Sequence, residues 1–290
     1  MNDLQNGLAR ALEVAASEHV VDVEGAAIRY RVWDGPRQAI PVVLVHGMLA
    51  HSRWWDVVAA WLSRDRPVVA LDLSGMGDSD RRAHYSRALH GREIAAVTRA
   101  AGFGQAALVA HSFGGDPALR SAVGDGELFE QLVLLDCRLR LPGVPSAAEQ
   151  AGKGPLRRRV YDSFEAARAK FRLMPESRQA DPIMLDHVVR HSITACEGGW
   201  TWKFDESMAT EPDPNDPLDV RGLAVPLSYV RGDESIVTTP DIMAITRQCL
   251  PQARYLSIPV AGHHLMLDQP VALVALLRAI LSDQVSRRLD

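Results

Sequence analysis

Five short apolar runs constrain the fold of this chain more than any other feature: Pro41-Val-Val-Leu-Val, Pro67-Val-Val-Ala-Leu, Ala106-Ala-Leu-Val-Ala, Gln131-Leu-Val-Leu-Leu and Pro226-Leu-Ser-Tyr-Val. Each is about five residues long and lacks the polar alternation of a strand with one wet face, so both faces must be covered, as in a parallel sheet between helices. Apolar residues at helical spacing fill the intervals, over Trp54 to Leu62, Tyr85 to Ala101, Asp116 to Val123 and Val271 to Leu281. Two alternating runs, His19-Val-Val-Asp-Val and Ala27-Ile-Arg-Tyr-Arg-Val-Trp, flank Glu24-Gly25 and predict an antiparallel hairpin at one sheet edge. The fold class is therefore α/β, with a mostly parallel, doubly wound sheet of about eight strands.

One region breaks the strand-helix rhythm. From 139 to 223, helix-like stretches around Leu156–Leu173 and Pro182–Cys196 occur without a buried strand run. The region begins near Pro142-Gly143 and returns through the Pro-rich segment 211–217, which continues neither a helix nor a central strand. This reads as a helical cap inserted at 139–223 into a core made of 1–138 and 224–290. Residues 3–18 place Leu4, Leu8, Leu12 and Ala15 on one helical face, suited to packing on the body or on a second copy of the chain as a homodimer.

The net charge of −4, with both signs interspersed, gives no electrostatic footprint for nucleic acid or an anionic membrane, so a small-molecule partner is expected. No run approaches the ~20 apolar residues of a membrane span, and the N-terminus lacks a secretory pattern, which leaves the cytoplasm as the expected location. Cys137, Cys196 and Cys249 are odd in number and lack metal-ligand spacing, so they read as free thiols in a reducing compartment.

The chemistry-bearing residues follow the apolar runs at their carboxyl ends, where ligands collect on an open parallel sheet. His46-Gly47-Met48-Leu49 follows the first, Asp72 to Asp80 the second, Ser112 the third, Asp136 the fourth and Arg231-Gly-Asp-Glu-Ser235 the fifth; His263 follows Ile258-Pro-Val-Ala-Gly262. Ser112 sits in Ala110-His-Ser-Phe-Gly-Gly115, where small residues two before and two and three after allow a sharp strand-to-helix bend that presents its hydroxyl.

With these segments in this order, residues 20 to 282 resemble the α/β-hydrolase fold family, in its serine-nucleophile branch with a helical cap. The resemblance implies Ser112 as nucleophile and His263, rather than His264, as base. A serine hydroxyl is a feeble nucleophile alone and needs an imidazole to take its proton and a carboxylate to orient that imidazole. In most such proteins the acid lies in a Gly-x-x-Asp turn after the next-to-last strand, but Gly232 plus three is Ser235, which leaves Asp233 and Glu234 out of step. A subgroup with Gly-x-x-Ser carries its acid after the preceding strand, which favours Asp136, with Asp233 and Glu234 as alternatives. Met48 and Phe113 are the expected main-chain oxyanion donors, with Gly47 permitting close approach.

His46 and Asp72 read as structural braces. Gly75-Met-Gly77 lacks a dinucleotide fingerprint, and His187 and His191 share a helix face without a third metal ligand. Trp200, Trp202, Phe204 and Met208 could line a pocket or pack a core. No cofactor and no metal is expected. The activity implied is hydrolysis of a carboxylic ester or related acyl bond of a small to medium hydrophobic substrate. A perhydrolase or haloperoxidase-like reaction, carbon–carbon bond hydrolysis and low-turnover ligand sensing are the alternatives.

Overall fold

A computed structural model describes residues 3–144, 157–209 and 218–287. Its centre is an eight-stranded sheet in the order β1-β2-β4-β3-β5-β6-β9-β10. The strands are β1 (Ser17–Val23), β2 (Ala26–Trp33), β3 (Val42–Val45), β4 (Val68–Leu71), β5 (Ala106–His111), β6 (Phe129–Leu135), β9 (Leu227–Gly232) and β10 (Arg254–Ile258). Strands β4, β3, β5, β6, β9 and β10 pair in parallel along that order, and β1 and β2 form the antiparallel edge. The hairpin turns through Glu24 (φ 50°) and Gly25 (φ 78°), two consecutive positive φ values of the kind whose twist suits a two-residue loop.

Every residue of β3, β4 and β5 is buried, and one apolar cluster covers each sheet face, as uninterrupted apolar runs require. Helices α2 (Asp56–Leu62) and α9 (Pro270–Arg287) contact each other, α3 (Arg87–Ala100) contacts α4 (Gly115–Gly124), and α7 (Pro240–Cys249) lies between β9 and β10 in the chain. Ser86 opens α3 as an N-cap, its hydroxyl accepting the Leu89 N–H at 3.0 Å. Helix α1 (Asp3–Leu12) buries Leu8 and Ala11 and packs on α2, while Ala15 lies past its end. No helix among the described residues is long and apolar enough to cross a membrane.

Between β6 and β9 the described part of the insertion carries α5 (Phe164–Arg168) and α6 (Pro182–His191), followed by an antiparallel hairpin of β7 (Ile193–Cys196) and β8 (Gly199–Trp202). The hairpin corrects the all-helical expectation for this region. Ser192 caps α6, and Gly198 (φ 81°) and Gly199 (φ 145°) then allow a turn that a continuing helix would forbid. The helical stretch expected over Leu156–Leu173 contracts to α5 within the described residues. Leu156 and the Pro-rich return 211–217 lie outside the described residues. Trp200 and Trp202 pack with Tyr161, Phe164 and Phe171 around Ala167, Val189 and Ile193, a small core belonging to the insertion itself.

The insertion is tied to the body on two sides. Gly77 N–H donates to Lys203 O and Asp205 N–H to Gly75 O, at 2.9 and 2.7 Å, and His187 Nε2 pairs with Asp56 Oδ2 at 2.9 Å.

Candidate active site

Ser112 follows β5 at φ 53°, a left-handed conformation that costs a serine free energy and is sustained only by its surroundings. The bend closes because its glycines have no side chain. A Cβ on Gly114 would stand 2.5 Å from His46 O, and one on Gly115 would stand 2.5 Å from Cys137 Sγ. A Cβ on Gly47 would meet His111 Nδ1 at 2.9 Å and Ser112 Cβ at 3.1 Å, so the loop after β3 can press against the serine only with glycine there. Leu49 (φ 60°), Asp136 (φ 49°) and Val260 (φ 55°) are also left-handed, and all lie in loops at the carboxyl ends of strands. Backbone strain thus concentrates on the edge where the candidate residues converge.

His263 Nε2 lies 2.9 Å from Ser112 Oγ, and His263 Nδ1 lies 2.7 Å from Asp136 Oδ2. His263 is only 6 % exposed and Asp136 is fully buried. The Asp136 carboxylate also accepts from Ser235 Oγ at 2.5 Å, Thr238 Oγ1 at 2.6 Å and the Gly232 N–H at 3.2 Å. Those donors compensate the burial of a charge that would otherwise be expensive. Asp233 and Glu234 are both exposed, and Glu234 accepts from Gln179 Nε2 instead. Ser235 occupies the turn position where a Gly-x-x-Asp sequence would hold a carboxylate, and from there it donates to Asp136.

Several braces hold this arrangement. His46 Nδ1 donates to Gly47 O at 2.8 Å and its Nε2 accepts the Leu73 N–H at 3.0 Å, linking the loops after β3 and β4. Asp72 accepts from Ser52 N and Asp78 N at 2.6 and 2.8 Å. His111 Nε2 donates to His263 O at 2.9 Å, placing one imidazole behind the other. Burial pushes the His111 imidazole well below the ordinary histidine range, so it sits there neutral.

The same effect makes stability depend on pH. Burial, offset by a carbonyl acceptor in each case, pushes His90 and His264 down to about 4. The unfolded chain therefore binds more protons than the folded one between its ordinary value of 6.5 and about 4. Stability held above that window is lost as pH falls through it. Urea unfolding is expected to show a decrease on the order of 2 kcal/mol per histidine between pH 7 and pH 5. A free energy that stays flat over that interval would contradict this account.

Met48 is 37 % exposed beside the bend, and Phe113 is half-buried, its ring edge-on to His90 and covered by the Arg87 guanidinium. Met208 belongs to the sheet core, whereas Phe204 lines a small polar cavity with Lys203 and Asp78. His191 Nδ1 donates to His187 O, so this pair braces α6 and its contact with α2. Sequence reasoning missed Thr238, Ser177 and Asp268, all hydrogen-bonded around the site, because isolated polar residues in loops or in a one-turn helix give no periodic signal.

A mostly parallel sheet with a serine, a histidine and a carboxylate in hydrogen-bonded sequence at the carboxyl ends of its strands defines the class of α/β hydrolases. The family model described as "Alpha/beta hydrolase family" matches residues 42–276. The chain is 30 % identical over 278 residues to Esterase Rv0045c of Mycobacterium tuberculosis, a match covering 89 % of this chain and 88 % of that protein. It is also 29 % identical to Lipase LipV of the same organism, over 59 % of this chain and 64 % of that one. The crystal structure of E-2-(acetamidomethylene)succinate hydrolase superposes with a TM-score of 0.79 at 19 % identity, covering 92 % of this chain and 100 % of that one, a likeness of fold. The protein belongs to the alpha/beta hydrolase family.

Proposed function

We propose that this protein is a serine esterase acting on small to medium hydrophobic carboxylic esters. The observation that carries the reading is the unbroken path from Ser112 Oγ through His263 to Asp136, at 2.9 and 2.7 Å. The esterase and lipase names of two relatives agree with it.

In this reading Ser112 Oγ attacks the ester carbonyl while His263 Nε2 takes its proton. Asp136 holds the Nδ1–H tautomer and stabilises the imidazolium. Negative charge on the carbonyl oxygen is met by the main-chain N–H groups of Met48 and Phe113, with Gly47 allowing the loop that carries Met48 to approach, and by the N-terminus of α4. His263 then protonates the departing alcohol, leaving an acyl-enzyme. A water molecule, deprotonated by the same imidazole, attacks the acyl carbonyl, and the carboxylic acid leaves as Ser112 regains its proton. The described part of region 139–223, seated on the turn that carries His263 through Ser177 and Pro175, acts as the cap of this site.

A series of p-nitrophenyl esters of rising acyl length tests the substrate class. The expected kcat/KM is highest for short to medium chains and falls by about tenfold or more for long ones, since each poorly accommodated methylene sacrifices binding that smaller substrates keep. A profile that rises to the longest chain would replace this reading with that of a lipase.

A further inference from the structure

Asp268 ends the one-turn helix α8 (Leu265–Asp268) directly after His263-His264 and is 7 % exposed. Its two oxygens bind different parts of the molecule. Oδ2 accepts the Gly262 N–H at 2.9 Å, on the residue that precedes His263. Oδ1 accepts from Ser177 Oγ at 2.5 Å, in the insertion between α5 and α6. Ser177 Oγ in turn accepts the N–H groups of Gln179 and Ala180, both at 3.2 Å, so its single proton is free for the carboxylate.

The turn it grips needs a tether. Val260 holds φ 55°, costly for a β-branched residue, and a Cβ on Gly262 would stand 3.2 Å from the carboxylate. Two further bonds seat the same stretch of the insertion on the same turn: His264 Nε2 donates to Pro175 O at 2.9 Å, and Asp181 N–H donates to Leu267 O at 3.2 Å. Arg178, Gln179, Ala180 and Asp181 also line, with Asp268, a cavity of about 510 Å³ against α1, so the contact is bounded by open volume on one side.

We propose that Asp268 is a positioning residue that couples the seating of segment 175–181 to the placement of His263, its carboxylate holding the base-bearing turn with one oxygen and the insertion with the other. When segment 175–181 is seated, Ser177 and Gly262 share one carboxylate and the imidazole is held within reach of Ser112. When it lifts, Oδ1 loses its donor and the strained turn is held by one bond fewer. The carboxylate has a second effect through its charge. Burial pushes the Asp268 carboxyl up, and the Ser177 and Gly262 hydrogen bonds and the neighbouring His263 pull it back, so a carboxylate charge is held close to the imidazole. The titratable groups facing His263 are Asp136, His111, His264 and Asp268, and from the insertion Arg178 and Asp181 line the same cavity as Asp268.

The inference rests on the proposed roles of Ser112 and His263, and its test reads the serine directly. The rate of Ser112 labelling by a fluorophosphonate is measured against pH for wild type, Asp268→Asn, Asp268→Ala and Ser177→Ala, with unfolding temperature recorded for each. Asp268→Asn keeps an oxygen for the Gly262 N–H but removes the charge. Its plateau rate is expected to fall about tenfold, and its acid limb to move to lower pH, because the negative charge beside the imidazole is gone. Asp268→Ala is expected to lose at least as much. Ser177→Ala retains the charge, so its acid limb stays in place while its plateau falls several-fold. If wild type is not labelled at all, the reading of Ser112 fails and takes this inference with it. If wild type is labelled and Asp268→Asn stays within twofold of it at every pH, this inference alone fails. A Ser177→Ala plateau within twofold of wild type removes the link to the insertion, and rates that merely track unfolding temperature reduce Asp268 to a stabilising contact.

Discussion

Ser112→Ala is expected to lower kcat/KM on p-nitrophenyl esters by about four orders of magnitude or more while leaving the folded structure intact. The substitution removes one buried-edge oxygen and its bond to His263, and alanine meets the same left-handed φ as serine did, so the bend carries no new steric burden. What remains is water attack assisted only by binding and by the main-chain donors, which in a site of this kind leaves a small residue of the original acceleration. Fluorophosphonate labelling should vanish together with turnover. A Ser112→Ala protein that keeps a tenth of the wild-type rate would show that the hydroxyl is not the attacking group.

The second large effect separates the three carboxylates considered above. Asp136→Asn is expected to lose about four orders of magnitude in kcat, because the amide no longer fixes the Nδ1–H tautomer of His263 or balances the charge the imidazole acquires. A stability loss should accompany it. Four donors converge on the Asp136 carboxylate, from Ser235, Thr238, Gly232 and His263, and an amide brings its own N–H₂ group among them. At least one buried donor is left unmatched, at a cost of about 1–3 kcal/mol. Asp233→Asn and Glu234→Gln change exposed side chains and should stay within about twofold of wild type. Kinetics on the three variants, paired with urea unfolding, read both effects. An inactive Asp233→Asn beside an active Asp136→Asn would move the acid to the other loop.

Much of this architecture is legible in the linear chain, for reasons that are local. The runs at Val42–Val45, Val68–Leu71 and Ala106–His111 are apolar without alternation, and burial on both faces follows. The small residues around Ser112 announce a bend that any side chain would obstruct, as the approaches to His46 and Cys137 confirm. The edge strand β10 was less visible, since Arg254 and Ser257 are exposed and interrupt the apolar pattern. The hairpin β7–β8 was hidden because Ile193-Thr-Ala-Cys follows α6 with an apolar spacing that fits a helix as well as a strand, and only the pairing with Gly199–Trp202 decides between them.

The sequence by itself determined the layered α/β scaffold, the serine at the bend ending a central strand, and the order in which serine and histidine appear, because each is written in the character of neighbouring residues. Which carboxylate meets the imidazole was decided only in three dimensions. Asp136 and His263 are 127 residues apart, and their 2.7 Å contact exists because β6, β9 and β10 lie side by side, which also brings Ser235 and Thr238 onto the same carboxylate. The grip of Asp268 on Gly262 and Ser177 has the same origin. A hydrogen bond between distant loops depends on how the sheet orders its strands and how the insertion folds back, and no local pattern of residues encodes that meeting.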